Sequence, residues 1–260
     1  MSERIIGMQQ WFETPPGRYL HAWEQQAFDA AVADVFGYHA LQLGLPELEA
    51  LRMNRIPHHW MGLQQGEHPR ERNYHLVADS HALPFEANSL DLVVLPHSLE
   101  LSADPHATLR EVERVLVPEG RVVISGLNPA SLWGLRQRRA RLLQRLGVGQ
   151  LFLPEAGEFI GYRRLRDWLR LLNFEVETGR FGCWRPALST DKWLARYEWM
   201  DAVGERWWPI FGAVYFVVAI KRVRGMRLMG SPLRRRAKIA TAPVPLANRG
   251  QSVHQREETP

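Results

Sequence analysis

The chain has 260 residues, 45% of them hydrophobic, which suits one α/β domain with additions. A single cysteine, Cys183, excludes a disulfide scaffold and points to a reducing compartment. The net charge of +5 is uneven: residues 221–260 carry 10 Lys/Arg against 2 acidic residues, and the rest of the chain carries 23 against 26.

Residues 8–36 read as a helical preface. Trp11 and Phe12 precede a turn, Thr14-Pro15-Pro16-Gly17. Tyr19, Leu20, Trp23, Ala27, Phe28, Ala31, Val32 and Val35 then recur at threes and fours, and Gly37 closes the helix. The first strand is expected at His39–Gly44, with Pro46 opening a helix and Glu47 and Glu49 near its positive end. Pro57–Leu63 reads as the second strand. His58 and His59 are adjacent, so they face opposite sides of it; that is no metal spacing, and no metal site is expected. The interval from Gly44 to Asp79 is short for a helix, a full strand and a second helix, which implies a trimmed first half. Leu76–Ala78 is the third strand, with Asp79 at its carboxyl end.

The stretch from Val77 to Leu127 organises the rest. Leu90–Leu95 and Arg121–Leu127 are near-continuous apolar runs, as expected of strands buried on both faces. Between them Leu109, Val112, Val115 and Leu116 recur at helical spacing behind Pro105, with Arg110, Glu111, Glu113 and Arg114 on the other face. Pro118 and Gly120 are expected to close that helix. A strand, a helix and a strand in this order make a right-handed crossover and a parallel sheet.

These motifs resemble the class I S-adenosylmethionine-dependent methyltransferase family, of the small-molecule type. The resemblance runs through Asp79, Leu83-Pro84-Phe85, Asp91-Leu92-Val93, Leu116-Val117-Pro118-Glu119-Gly120 and Arg121–Ser125. Gly126–Pro129, Gly-Leu-Asn-Pro, is similar to a poorly characterised proteobacterial branch. The resemblance implies a doubly wound, Rossmann-like sheet of seven mostly parallel strands, the last antiparallel, behind an N-terminal helical extension. It implies S-adenosylmethionine as cofactor, lined by Gly44, Leu45, Asp79, Ser80 and His97, with methyl transfer by direct displacement. Asp79 would accept from the adenine amino group, or else cap a turn. His97, after the fourth strand, is open to three roles: general base, contact to the methionine moiety, or structural histidine. Glu100 reads as a solvated or structural acid. The family usually places several glycines after its first strand, where this chain has Gly44. It also usually has a ribose-binding acid ending the second, where the nearest acid is Glu67.

In residues 131–147, Leu132, Leu135, Leu142, Leu143 and Leu146 can share a helical face, with Arg136, Arg138, Arg139, Arg141 and Arg145 around it. The first reading is a packed leucine stripe under a solvated basic face. The others are an anionic membrane surface and nucleic-acid phosphates. Tyr162–Leu172 is a helix, Glu175–Gly179 the sixth strand and Ala213–Arg222 the seventh. The insert at 182–212 holds Trp184, Trp193, Trp199, Trp207 and Trp208, read as core or as a cap over an apolar or planar substrate.

The domain is therefore expected over 1–224, followed by a basic, disordered tail at 225–260, read as recruiting RNA or an anionic membrane, or as an aid to solubility. The opening MSERIIGMQQWFETPPG has no continuous apolar region, and the run Pro209–Ile220 is too short to cross a bilayer, so a cytoplasmic protein is expected. The acceptor is expected to be a small apolar or aromatic molecule. Two further readings are a catalytically silent scaffold and a nucleic-acid methyltransferase working through the basic tail.

Overall fold

The computed structural model describes residues 7–64, 75–144, 151–154 and 159–222. Glu67, Arg145, Leu146 and the basic tail at 225–260 lie outside the described residues.

Two helices come first, α1 (Met8–Phe12) and α2 (Pro15–Val32). Thr14 caps α2: its side chain accepts from the Gly17 N–H, and prolines occupy the first turn, where no donor is needed. The helix stops at Val32, before Gly37. Gly37 serves a different purpose. A Cβ there would lie 2.3 Å from the Asp91 side chain, which approaches closely enough to accept from the backbone N–H groups of Tyr38 (2.7 Å) and His39 (3.0 Å).

The strands are β1 (His39–Leu43), β2 (His58–Gln64), β3 (Leu76–Ala78), β4 (Leu90–Pro96), β5 (Leu116–Leu127), β6 (Phe174–Gly182) and β7 (Val214–Lys221). They form one sheet in the order β3-β2-β1-β4-β5-β7-β6. The first five strands run parallel, and β7 lies antiparallel between β5 and β6. Successive residues face opposite sides. Leu92, Val94 and Val123 meet α2 through Leu20, Phe28 and Val32. Val93, Leu95, Val122 and Ile124 meet α4 (Pro105–Val115) and α6 (Tyr162–Leu171). Both faces are covered, which is why the central strands read as unbroken apolar runs.

Three expectations need correction. No helix follows β1; residues 44–57 run as turns and loop. The buried side chain of Gln42 takes the helix's place: its Nε2 donates to the carbonyls of Leu48 (2.6 Å) and Leu45 (3.1 Å), and its Oε1 accepts from the Ala50 N–H (3.0 Å). Second, α4 ends at Val115, and Leu116–Gly120 already belongs to β5, with a register shift between Leu90 and Leu92. Pro118 has no N–H to continue a helix, and Glu119 is left-handed at φ 65. Lys221 holds this junction, its Nζ donating to the carbonyls of Glu113 (2.6 Å) and Leu116 (2.8 Å) at the negative end of α4. Third, the leucines of α5 (Leu132–Gln144) face outward; the packed side carries Trp133, Gly134, Gln137 and Ala140.

Among the described residues no helix is long and apolar enough to cross a membrane.

Candidate functional site

The strand order reverses between β1 and β4, and in open parallel sheets ligands bind beyond the carboxyl ends at such a switch point. β1 leaves it through Gly44 (φ 77) and Leu45 (φ 50), and β4 through His97 (φ 52), all in the left-handed region. Ser98 Oγ donates to the Leu43 carbonyl, fastening the two exits together. Ser98 opens the short helix α3 (Ser98–Leu101).

His97 is fully enclosed. Its Nδ1 lies 2.9 Å from Glu100 Oε2, and its Nε2 lies 2.9 Å from Glu24 Oε1, on the preceding helix α2. Both carboxylates are buried as deeply as the ring. Glu100 Oε1 also accepts from the Leu127 N–H, at 2.5 Å, tying the end of β5 to the cluster. Burial by itself would lower the His97 pKa, but attraction to Glu24 and Glu100 outweighs it and holds the ring up at about 10. Burial pushes Glu100 upward, against the pull of His97. The Tyr215 hydroxyl is pushed well up by burial and then by Glu100. Among the described residues Glu24 has one polar neighbour at ion-pair distance, His97 Nε2 at 2.9 Å, and that contact is poorly aligned for a hydrogen bond.

Asp79 and Ser80 lie apart from Gly44 and Leu45, at the end of β3 with β2 between. Asp79 is half exposed and accepts from the His81 N–H at 2.9 Å, so it forms an Asx turn. Ser80 is buried in a hydroxyl network with Thr108 (3.1 Å) and Ser102 (3.4 Å), and His81 Nε2 reaches Ser102 at 3.1 Å. Ser102 follows α3, so this network joins the β3 end to the His97 turn along one rim.

Aromatic rings close over the switch point. Phe12 stands 6.0 Å edge-on from His97, and Trp11 packs edge-on against Trp133 of α5, also at 6.0 Å. Tyr19 lies 6.3 Å from Trp133 and donates to Asp201, which also accepts from Arg185 Nε at 2.9 Å. Asp201 belongs to the insert, which folds as α7 (Asp191–Arg196), α8 (Trp199–Trp207) and a 3-10 turn at Pro209–Phe211. Of its five tryptophans only Trp184 is buried; Trp193, Trp199, Trp207 and Trp208 are exposed. The cover over the strand ends therefore comes from α1, α2 and α5 rather than from the insert.

Reasoning from the sequence missed Glu24 and Gln42, although both left a signal. Glu24 stands four residues from Leu20 and four from Phe28, a charge inside an apolar stripe. Gln42 interrupts an otherwise apolar strand, HALQL. Each is a buried polar group that needs partners.

Residues 61–124 match the methyltransferase domain family. The chain is 32% identical over 175 residues to an uncharacterised protein, YafS, of Escherichia coli, covering 67% of this chain and 68% of that protein. It is 29% identical over 153 residues to a malonyl-[acyl-carrier protein] O-methyltransferase of Salmonella typhimurium, covering 59% of this chain and 50% of that enzyme. Among solved structures, a putative methyltransferase of Haloferax volcanii, in complex with its Trm112 activator, superposes with a TM-score of 0.55 at 17% identity, over 86% of this chain and 99% of that one. A Thermotoga maritima SAM-dependent methyltransferase, described as a possible histamine N-methyltransferase, superposes at 0.53 and 15% identity, over 78% and 92%.

Proposed function

The chain belongs to the class I S-adenosylmethionine-dependent methyltransferase family, and on that premise we propose that it methylates an oxygen of an apolar acyl or aromatic acceptor. The observation that supports methyl transfer at the switch point is the pair of left-handed exits, Gly44-Leu45 and His97, held at the ends of β1 and β4 above two buried carboxylates. The acceptor's oxygen and apolar body are suggested by the O-methyltransferases among the relatives and by the ring of Trp11, Phe12, Tyr19 and Trp133.

The residues present fit the cofactor in charge. Two buried carboxyl groups, Glu24 and Glu100, flank the single imidazole of His97, each at 2.9 Å. Such a site favours a ligand that carries a sulfonium and an ammonium group. Gly44 and Leu45 would present backbone to its methionine end, and Asp79 with Ser80 would take its adenine end. When bound, S-adenosylmethionine supplies an electrophilic methyl group. The chain's own residues orient and enclose. Both ring nitrogens of His97 face carboxylates, so the ring keeps its protons and serves as a positioning group rather than a base. Phe12 and Trp11 keep water from the strand ends.

Calorimetric titration of S-adenosylmethionine and its demethylated product into the full chain tests this reading. Micromolar binding is expected, weakened about tenfold in Asp79→Ala through loss of one charge-assisted hydrogen bond. An absence of binding up to millimolar cofactor would sink it.

A further inference from the structure

The outward leucine face of α5 is the least expected feature of the fold. Leu132, Leu135, Leu142 and Leu143 lie on one side of the helix, with Leu135 62% and Leu142 61% exposed. Arg139 sits among them, and Arg136 and Arg138 flank the row. These arginines and Arg141 are all exposed, and the helix has no acidic residue.

A second exposed apolar segment is tied to the same end of the β5–β7 ladder. Residues 205–211, Glu-Arg-Trp-Trp-Pro-Ile-Phe, are exposed without interruption, Trp207 to 73% and Phe211 to 55%. The two segments share a base. β5 ends at Leu127 and β7 begins at Val214, paired across the ladder. Asn128, the residue after β5, fastens the approach to β7: its Nδ2 donates to the carbonyls of Ile210 (2.7 Å) and Gly212 (2.9 Å). Trp133 and Arg136 of α5 donate in turn to the carbonyls of Arg185 and Ala187, at the foot of the insert. This rim borders the end of β4, since the His97 N–H donates to the Ser125 carbonyl of β5.

We propose that the leucine–arginine face of α5 and the Trp207–Phe211 knuckle dock the protein on an anionic lipid bilayer surface. Each half contributes a different term. The knuckle exposes two tryptophans, an isoleucine and a phenylalanine around a 3-10 turn, as groups at a water–acyl boundary do. The α5 face pairs leucines with cations and no anions, the composition of a helix lying in the plane of a negatively charged interface. A protein partner would need only the apolar part. Nucleic acid would need only the arginines and would leave four leucines in water.

The test is sedimentation of the full chain with vesicles, and it uses no methyl donor, so it fails or succeeds separately from the methyl-transfer reading. Vesicles of phosphatidylcholine alone are compared with vesicles containing about a third phosphatidylglycerol. Binding is expected to be much stronger to the anionic vesicles, with a weak, salt-resistant fraction on both. Arg138→Gln with Arg139→Gln should weaken it by roughly fivefold per arginine. Trp207→Ser with Phe211→Ser should remove the fraction that persists in high salt. All four positions are exposed, and Ile210→Ser replaces the aromatic pair if that pair shifts the melting midpoint. The proposal is overturned by no binding, or by variants that bind as well as the wild type, which would assign binding to residues 225–260. It is also overturned by a concentration-dependent dimer that the aromatic variant dissolves, or by RNA binding that the arginine variant abolishes while vesicles are ignored.

Discussion

The two flanks of the switch point are held by different physics. On the β4–β5 flank, α4 lays Leu109, Val112 and Val115, all fully buried, against Val93, Leu95, Val122 and Ile124. Many weak, non-directional contacts share the load there. On the β1–β2 flank no helix follows β1, and one glutamine, Gln42, holds residues 44–50 through a few directional bonds. Where a crossover helix is trimmed away, its backbone can no longer satisfy itself, and a buried polar side chain must do so instead. The trimmed flank is therefore the one that depends on individual residues.

The largest effect is expected where the flanks meet. His97→Leu leaves Glu24 and Glu100 buried without the cation between them, and should cost about 3–5 kcal/mol of unfolding free energy, read from urea melts near neutral pH. Glu24→Gln leaves one cation with one carboxylate and should cost clearly less. The pH profile separates an ion cluster from simple packing. The folded His97 pKa, about 10, lies above its ordinary value of 6.5, so its protonation stabilises the fold fully below 6.5. That contribution is lost as pH rises from 6.5 through about 10. Wild-type stability should fall across this window, and His97→Leu should remove His97's share of the slope. An equal slope in the variant would remove His97 from the account.

Size-matched swaps compare the flanks directly. Gln42→Met keeps the volume but strips partners from the Leu48 carbonyl and the Ala50 N–H, and about 2–3 kcal/mol should be lost. Leu109→Met on the other flank also keeps volume and chemistry, and should cost about 1 kcal/mol or less. Equal losses in urea melts would mean that the loop after β1 is held by packing after all.

The same contrast explains what the sequence revealed. The β4–α4–β5 unit was legible because each signal in it is local: apolar runs, a proline at a helix start, a 3.6-residue stripe. The end of α4 was misplaced because Pro118 and Gly120 stop a helix and equally open a bulged strand. In α5 the period was correct and the face was wrong. Periodicity tells that a helix has two sides, not which one turns inward. Here the inward side carries Trp133, and Gln137, whose Oε1 accepts from the N–H groups of Phe152 (3.0 Å) and Leu153 (2.9 Å). No scale would rank that side above four leucines. Gly44, Asp79 and His97 could be read from the sequence as the residues that follow β1, β3 and β4, whereas Glu24 reaches His97 only through tertiary packing, 73 positions earlier in the chain.

The most local expected effect tests the cover, which belongs to neither flank. Thr14 Oγ1 accepts from the Gly17 N–H at 3.3 Å and donates to the Trp11 carbonyl at 2.6 Å, so one hydroxyl caps α2 and pins α1 to it. Gly17 makes the approach possible, since a Cβ there would lie 2.1 Å from the Trp11 oxygen. Because α1 carries Trp11 and Phe12 over His97, loosening it uncovers the strand ends without disturbing β1 or β4. Thr14→Ala should cost about 1 kcal/mol. If that cost is local, amide exchange across Met8–Phe12 should quicken about fivefold while β4 stays as protected as before. Equal quickening in β4 would mean that α1 and the strands it packs on open as one unit. The route to the switch point would then have to open elsewhere along the rim.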